Sequence, residues 1–373
     1  MNRPHITIVL GTRPEAIKMA PVYLRLASDP RTRVSLVATA QHREMLDQVL
    51  SVFDIRPDID LDLMRPDQSL AEIASRVITG VQEALDRLKP DAVLVHGDTS
   101  TCLFGALAAF YQRVPVGHVE AGLRTYDFSA PWPEEMNRRL TDPICRWCFA
   151  PTPQAAANLR AEAVPEAGIF VTGNTVIDAL LMAREMALRQ NPSIEGLPEG
   201  AIDGKRLILV TGHRRESFGK PFEEFCLALR DIARAHADTV LVYPVHLNPN
   251  VKRPVHQVLG KEDRVFLIPP VEYLPFVSLM DRSYLIITDS GGVQEEAPSL
   301  GKPVLVTRAK TERPEAVHAG LAKLVGTSRE RIVAETNLLL ADPQAYAQMA
   351  HGSNPYGDGR AAERIVHTLC EAF

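Results

Sequence analysis

The chain has 373 residues, more than one hydrophobic core ordinarily supports, so two domains are expected. Hydrophobic residues make up 46% and charged residues 23% of the sequence, a balance typical of soluble globular proteins. The formal net charge of -5 gives no electrostatic reason to expect nucleic acid or a membrane as partner, and no apolar run reaches the roughly 20 residues of a membrane-spanning helix. The N-terminus lacks the features of a signal peptide, so a cytoplasmic location is expected.

The predicted elements alternate between short runs rich in Val, Ile and Leu and longer segments of helical periodicity. A first series of strands is predicted at Ile6–Leu10, Val34–Thr39, Ala92–His96, Val114–His118, Cys148–Ala150 and Ile169–Thr172. A second series is predicted at Leu207–Thr211, Thr239–Tyr243, Val265–Leu267, Tyr284–Thr288 and Val304–Thr307. Helices are predicted at Ser69–Leu88, Thr101–Tyr111, Val176–Arg189, Pro221–His236 and Gly359–Phe373. We therefore expect an α/β fold in which two doubly wound, Rossmann-like domains face a cleft.

A segment rich in Pro and Gly, Asn191–Lys205, separates the two series and predicts a domain boundary in or just before it. The last predicted helix comes after a turn-rich stretch, and we expect it to pack against the first half. The N-terminal domain is accordingly predicted to comprise residues 1–175 plus 356–373, and the C-terminal domain residues 176–355.

The five cysteines are an odd number and thinly spread, which argues against a disulfide framework. Cys145 and Cys148 have C-x-x-C spacing, but no second pair or nearby histidine completes a zinc site. We interpret both as packing residues, and no metal site is expected.

Charged side chains follow several predicted strands, at the edge where open α/β sheets bind their ligands. They are Arg13 and Lys18 after the first strand, Asp98 and Glu120 after the third and fourth, Glu134 and Arg138 in the next loop, and His213 and Arg313 in the second half. Any one of these is more often a solvated charge, and Asp98 is equally suited to cap the following helix. The convergence of four titratable groups nevertheless favours a catalytic crevice: Asp98, Glu120, Glu134 and His213.

The stretch "TDSGGVQEEAPSLGKPV" joins a strand-like run to a helix start. Ser290, Gly291 and Gly292 are predicted to present backbone amides to an anion, since glycine permits close approach and the helix dipole favours negative charge. Glu295 or Glu296 would accept hydrogen bonds from ribose hydroxyls. Phe276 offers a face to a base, although core packing is the alternative. The stretch therefore predicts a site for a nucleoside diphosphate.

Two other nucleotide sites are disfavoured. The chain has no G-x-x-x-x-G-K-[ST] loop, the usual ATP or GTP motif. Its G-x-G-x-x-[GA] match, Gly357–Ala362, comes after a turn rather than a strand, which is the wrong place for nicotinamide binding. No cofactor is expected.

The motifs together resemble those of the bacterial non-hydrolysing UDP-N-acetylglucosamine 2-epimerases. The resemblance runs over nearly the whole chain, through "GTRPEAIKMAPV", "TAQHREMLDQVL", "VHGDTSTCLFGALAAF", "HVEAGLRT", "PWPEEMNR", "VTGNTVIDAL", "VTGHRRESFG", "YPVHLNPNV", "YLPFVSLM", "TDSGGVQEEAPSLGKPVLV", "TERPEAV" and "NPYGDG". It implies the two-domain GT-B fold with UDP in the C-terminal domain. It also implies a homodimer that makes UDP-N-acetylmannosamine for surface polysaccharides.

The resemblance assigns residues motif by motif. Catalytic positions fall on Asp98, Glu120, Glu134 and His213. Positions for the substrate or UDP fall on Arg13, Lys18, Arg138, Phe276, Ser290, Gly291, Gly292, Glu296 and Arg313. Contacts to a second UDP-N-acetylglucosamine, an activator in such enzymes, fall on Gln41, Arg214 and His246.

The expected reaction is anti elimination of UDP to a 2-acetamidoglucal, and then re-addition with the C2 proton on the opposite face. A glycosyltransferase, a hydrolysing epimerase that releases free N-acetylmannosamine, and a UDP-sugar sensor are the alternatives. The sequence leaves open which carboxylate acts on which face of C2.

Overall fold

A computed structural model describes residues 3–39, 43–65, 67–311 and 313–373. The chain divides into two compact units, one formed by the residues up to Leu181 together with Tyr356–Phe373, the other by Met182–Pro355. Each unit contains a parallel β-sheet with helices between its strands, so the predicted α/β class is confirmed.

In the first unit, the described residues form a sheet of strands β1 to β7, at His5–Leu10, Arg33–Ala38, Ile59–Asp60, Ala92–His96, Val116–Val119, Trp147–Ala150 and Ile169–Val171. The helices are α1 to α7, at Arg13–Ser28, Arg43–Val52, Leu70–Leu88, Ser100–Tyr111, Glu134–Thr141, Pro153–Ala161 and Thr175–Gln190, the last of which crosses into the second unit. The strand order is β3-β2-β1-β4-β5-β6-β7, and every pairing is parallel. The order reverses between β1 and β4, which creates the switch point where ligands bind in such sheets.

In the second unit, strands β8 to β13 lie at Arg206–Thr211, Thr239–Pro244, Val265–Ile268, Leu285–Thr288, Val304–Val306 and Ala322–Leu324. Helices α8 to α15 lie at Lys220–Ala235, Pro249–Leu259, Tyr273–Arg282, Gly291–Glu296, Pro314–His318, Arg329–Ala341, Pro343–Ala350 and Ala361–Glu371, the last belonging to the first unit. The strand order is β10-β9-β8-β11-β12-β13, again parallel. Its switch point lies between β8 and β11, whose last residues Thr211 and Thr288 are paired in register.

Each sheet has its own hydrophobic core. Val9 and Val95 pack with helices α3 and α4 in the first unit, and Ile208 and Leu241 pack with α8 and α9 in the second. The central strands are buried along their whole length, as expected of parallel strands covered by helices on both faces.

Some predicted boundaries were wrong. The strand predicted at Val114–His118 begins two residues later, at Val116, because Pro115 has no N–H to donate to the ladder. Strands β3 and β13 were missed, since two and three residues are too few to show a period. The C-terminal helix is shorter than predicted, at Ala361–Glu371.

All five cysteines lie in the described part of the chain, and they are free thiols. Cys148 is fully buried in β6, as the packing interpretation requires. Within the described residues, no helix has the length and apolar character needed to cross a membrane.

Candidate active site

The loop after β1 is tied to the loop after β4 by a buried carboxylate. Glu15, 1% exposed, accepts hydrogen bonds from the amides of Gly11 (3.0 Å) and Thr12 (2.7 Å) and from the Thr99 hydroxyl (2.7 Å). Burial raises the pKa of Glu15 to about 7, against the opposing effect of the bonds from Thr99 and Thr12. Sequence reasoning missed Glu15, which joins the two loops that flank the switch point.

Glu120 lies directly after β5 and faces inward beside a lysine. Its carboxylate is 8% exposed, forms an ion pair with Lys18 of α1 and accepts a hydrogen bond from the Asn174 side chain at 3.0 Å. The Nε2 atom of His96 lies 3.9 Å away, and burial lowers the pKa of this histidine to about 3, so its ring is neutral. The backbone of Glu120 has a φ of 69°, a conformation that non-glycine residues seldom adopt. The structure thus brings the predicted residues Glu120 and Lys18 into direct contact.

Asp98 lies just after β4 and is held by α5. Its carboxylate pairs with Arg138, and its carbonyl oxygen accepts from the Asn137 side chain at 2.8 Å. Helix α4 is capped by Thr99, whose hydroxyl accepts from the Cys102 amide at 3.0 Å. Asp98 is therefore not the cap that the alternative interpretation proposed.

The adjacent residues Glu134 and Glu135 have different surroundings at the start of α5. Glu135 is fully buried and accepts from the amides of Thr125 and Tyr126, each at 2.9 Å. Within the described part of the chain, the Glu134 carboxylate has no hydrogen bond or ion pair, although it is half-buried. Glu135 therefore fixes the loop, and Glu134 is the carboxylate available to a ligand.

Arg13, the first residue of α1, is also half-buried and has no carboxylate or carbonyl partner among the described residues. A cation at a helix N-terminus is disfavoured by the helix dipole. Its position is consistent with binding an anionic ligand.

In the second unit, the loop after β8 is anchored to the loop after β11. The Asp289 carboxylate, 2% exposed, accepts from the amides of His213 and Arg214, both at 2.7 Å. The His213 ring is 43% exposed, and its Nδ1 atom lies 3.6 Å from the same carboxylate. Burial lowers the pKa of His213, while Asp289 opposes this effect. Asp289 was not predicted from the sequence, although it directly follows the predicted strand Tyr284–Thr288.

The backbone at Ser290, Gly291 and Gly292 differs in part from the expectation. The Ser290 amide donates to the Thr288 hydroxyl at 2.9 Å, so it is not open to an anion as predicted. No acceptor among the described residues engages the amides of Gly291 and Gly292, the first two residues of α11. A Cβ atom on Gly291 would meet nothing within 4 Å, so space is open beside this residue.

One of the two glutamates of α11, Glu295, has an arginine as its partner. Glu295 forms an ion pair with Arg313, and its carbonyl accepts from the Asn354 side chain at 2.8 Å. Of the two predicted ribose acceptors, Glu295 is therefore committed to holding the segment around Arg313. Glu296 is 8% exposed and stays a predicted ribose acceptor.

The other residues predicted from the resemblance differ in their burial and contacts. Phe276 lies half-buried on α10. His246 is exposed, and its ring stacks on that of His213 with centroids 5.3 Å apart. Arg214, next to His213, is half-buried. Gln41 lies outside the described residues.

Comparison with known proteins gives one consistent result. The family described as UDP-N-acetylglucosamine 2-epimerase matches residues 24–370. The UDP-N-acetylglucosamine 2-epimerases of Escherichia coli K12 and Yersinia pestis are 57% and 56% identical to the chain, over 98% of both sequences in each case. The crystal structure of UDP-GlcNAc 2-epimerase from Neisseria meningitidis bound to UDP-GlcNAc matches with a TM-score of 0.87 and 49% identity, over 98% of this chain and 100% of that one.

Proposed function

Because this chain belongs to the UDP-N-acetylglucosamine 2-epimerase family, we propose that it interconverts UDP-N-acetylglucosamine and UDP-N-acetylmannosamine by eliminating and re-adding UDP. The family predicted from the motifs is confirmed, and with it the assignment of the chain as an epimerase. The route of the reaction and the role of each residue are the proposal.

The C2 proton of the sugar is hardly acidic, since no carbonyl group is adjacent to C2. Breaking the C1–O bond to UDP develops positive charge at C1, and a carboxylate can then remove the C2 proton. The products are 2-acetamidoglucal and UDP. Adding a proton to the opposite face of C2, while UDP re-forms its bond to C1, gives the epimer with no net consumption of reactants.

The first unit supplies the candidates for proton transfer: Asp98, Glu120 and Glu134. Two of these carboxylates lie at the ends of the adjacent strands β4 and β5, each beside its own cation. Fixed counter-charges hold the carboxylates in position before the substrate binds. Glu134, which lacks an internal partner among the described residues, is suited to contact the sugar directly.

The second unit supplies the candidates for holding UDP as it leaves. The amides of Gly291 and Gly292 offer two donors to a phosphate, and Asp289 anchors the loop of His213 at the same switch point. Glu296 would accept from the ribose, and Phe276 would contact the base. Arg13, Lys18, Arg138 and Arg313 are the proposed cations for the substrate.

The observation that carries the proposal is the placement of Asp98 and Glu120 beside the first switch point, in a chain of this family. Incubation with UDP-N-acetylglucosamine in deuterated water, without any acceptor, tests it. Proton NMR should show UDP-N-acetylmannosamine forming, with deuterium at C2 of the recovered sugars. Epimerised product without deuterium contradicts the elimination route. Free sugar and UDP would instead indicate a hydrolysing enzyme.

The family resemblance also leads us to propose a homodimer that supplies surface polysaccharide synthesis, with a second UDP-N-acetylglucosamine as activator. Arg214 and His246 are the described candidates for the activator site. Their position supports coupling to the reaction, because Arg214 is the next residue after His213 in the chain and His246 stacks on the His213 ring. Adding UDP-N-acetylglucosamine to the reverse reaction should raise the initial rate, and His246→Ala should abolish that rise.

A further inference from the structure

A buried ionic network lies behind the loop that carries Asp98. The His118 Nδ1 atom is 2.6 Å from one oxygen of Asp142, and the other oxygen of Asp142 is 2.5 Å from Arg124. Arg124 also bonds to Glu162, at 2.9 Å and 2.8 Å. The side chains of His118, Asp142 and Arg124 are all 0% exposed. These four residues form the His118 network, and Arg139 also pairs with Glu162 at 3.3 Å. Each carboxylate of the network therefore faces at least one arginine.

Both ring nitrogens of His118 must donate. The Nδ1 atom faces the Asp142 carboxylate, and the Nε2 atom lies 2.7 Å from the carbonyl oxygen of Gly97. Both partners are acceptors only, and a neutral imidazole has a single N–H. The ring is therefore an imidazolium.

The charged and titratable groups that face His118 agree with this donor count. Burial raises the pKa of Cys102 of α4, so its thiol is neutral. Burial by itself lowers the pKa of His118, but the Asp142 carboxylate beyond α5 raises it well above its usual value. His96 of β4, which also interacts with His118, is neutral at ordinary pH because burial lowers its pKa to about 3. The two histidines of adjacent strands thus hold opposite protonation states.

His118 acts on the residue that precedes Asp98. The Gly97 carbonyl accepts from His118 and from the Cys102 thiol, at 2.7 Å and 3.3 Å. Gly97 has a φ of 71°, so the chain turns sharply here, between the end of β4 and Asp98. Fixing this carbonyl fixes the peptide plane from which Asp98 extends.

Helix α5 and the residue after it complete the support of this turn. Asn137 holds the Asp98 carbonyl, Arg138 holds its carboxylate, and Asp142 holds His118. The segment from Asn137 to Asp142 therefore supports both the backbone and the side-chain direction of Asp98.

We propose that His118 is a positioning residue for epimerisation, whose charged ring holds the Gly97 carbonyl and so directs the Asp98 carboxylate toward the C2 proton. The inference rests on the proposed function, because it assumes that Asp98 contacts the sugar. His118 itself lies behind the loop and does not touch the substrate.

Two substitutions separate positioning from a merely structural role. The amide nitrogen of His118→Gln replaces Nε2 and keeps a donor to Gly97, whereas that of His118→Asn replaces Nδ1 and keeps a donor to Asp142. We expect kcat to fall about 100-fold in His118→Asn and about 10-fold in His118→Gln, with KM within about twofold of wild type, because a shift of 1 Å in a reacting group costs on the order of 100-fold. Equal kcat values, the reverse order, or a loss confined to KM would overturn the proposal. Urea denaturation of both variants gives the folded fraction, and a loss of kcat that only tracks this fraction also overturns it.

A spectroscopic measurement tests the charge without relying on activity. In wild-type protein labelled with ¹⁵N-histidine, one histidine should keep both ring nitrogens protonated at about pH 8, where an ordinary histidine is neutral. This signal should disappear in His118→Gln. A neutral His118 in an active wild-type enzyme overturns this inference alone. A wild-type chain without epimerase activity overturns the proposed function, and the positioning role with it.

Discussion

The candidate site residues of the two units differ in their exposure and in the partners that the protein already provides for them. In the first unit, Glu120 is 8% exposed and paired with Lys18, and Asp98 is paired with Arg138. In the second unit, the His213 ring is 43% exposed, and the amides of Gly291 and Gly292 have no acceptor among the described residues. The protein therefore already supplies partners for Asp98 and Glu120, whereas His213 and the two glycine amides are more open to a ligand.

This difference matches the division of labour in the proposed reaction. Proton transfer needs groups held within a fraction of an ångström, and internal ion pairs provide that order before binding. A nucleotide that must be bound before the reaction and kept after it leaves needs donors that the protein does not already satisfy, so that they can hold the diphosphate throughout. We therefore expect substitutions in the first unit to affect mainly kcat, and those in the second to affect mainly KM.

The largest expected effect tests the first half of this comparison. Asp98→Asn keeps the shape of the side chain but removes a proton acceptor, and we expect kcat to fall about 1,000-fold or more, as general acid–base catalysis allows. The proton NMR time course measures the rate. Asp54→Asn, at an exposed aspartate beyond α2, is the matched control and should keep full activity. Retention of more than about a tenth of wild-type kcat in Asp98→Asn would remove Asp98 from the mechanism.

A pair of adjacent glutamates sharpens the comparison within the first unit. Glu134→Gln should lower kcat about 100-fold or more without loss of stability, since this carboxylate has no partner among the described residues. Glu135→Gln should lower the free energy of unfolding by about 1–3 kcal/mol, because Glu135 is buried and accepts from two amides. Urea denaturation and steady-state kinetics on both variants measure the two effects. If both variants lose stability equally, Glu134 is structural as well.

A smaller effect is expected in the second unit. Asp289→Ala leaves the amides of His213 and Arg214 unpaired and loosens their loop. We expect KM for UDP-N-acetylglucosamine to rise about 10-fold, which corresponds to the roughly 1–3 kcal/mol that unsatisfied buried donors cost. Glu223→Ala on the exposed side of α8 serves as the control with unchanged KM. A fall in kcat at constant KM would contradict the binding role assigned to this unit.

The smallest expected effect concerns stability and pH. Burial lowers the pKa of His96 to about 3 in the folded chain, whereas the unfolded residue takes up a proton near its ordinary value of 6.5. Protons therefore favour the unfolded state as the pH falls below 6.5, and stability is lost toward pH 3. From about pH 7 to pH 5.5, wild type should lose about 1 kcal/mol relative to His96→Gln, which has no titrating group there. Urea denaturation at the two pH values gives this difference, and an unchanged difference would show that the pKa of His96 is nearly the same in the folded and unfolded chain.

Much of the fold and part of the site could be predicted from the sequence. Alternating strand and helix patterns determined the α/β class, because periodicity depends only on neighbouring residues. The carboxyl ends of parallel strands share an edge, so the positions of Asp98 and Glu120 directly after two predicted strands were enough to expect them near each other. The motifs determined the family.

The tertiary structure alone decided how each charged group is used. Lys18 and Glu120 are 102 residues apart, and His118 and Asp142 are 24 apart, so no local pattern encodes their pairing. Glu134 and Glu135 are neighbours in the chain, but burial commits only Glu135 to the protein's own amides. The protonation of His118, the anchoring role of Asp289 and the capping of α4 by Thr99 also depend on contacts across the fold. Sequence spacing fixes which face or edge a residue occupies, whereas its charge state and partners depend on the atoms that packing brings within hydrogen-bonding distance.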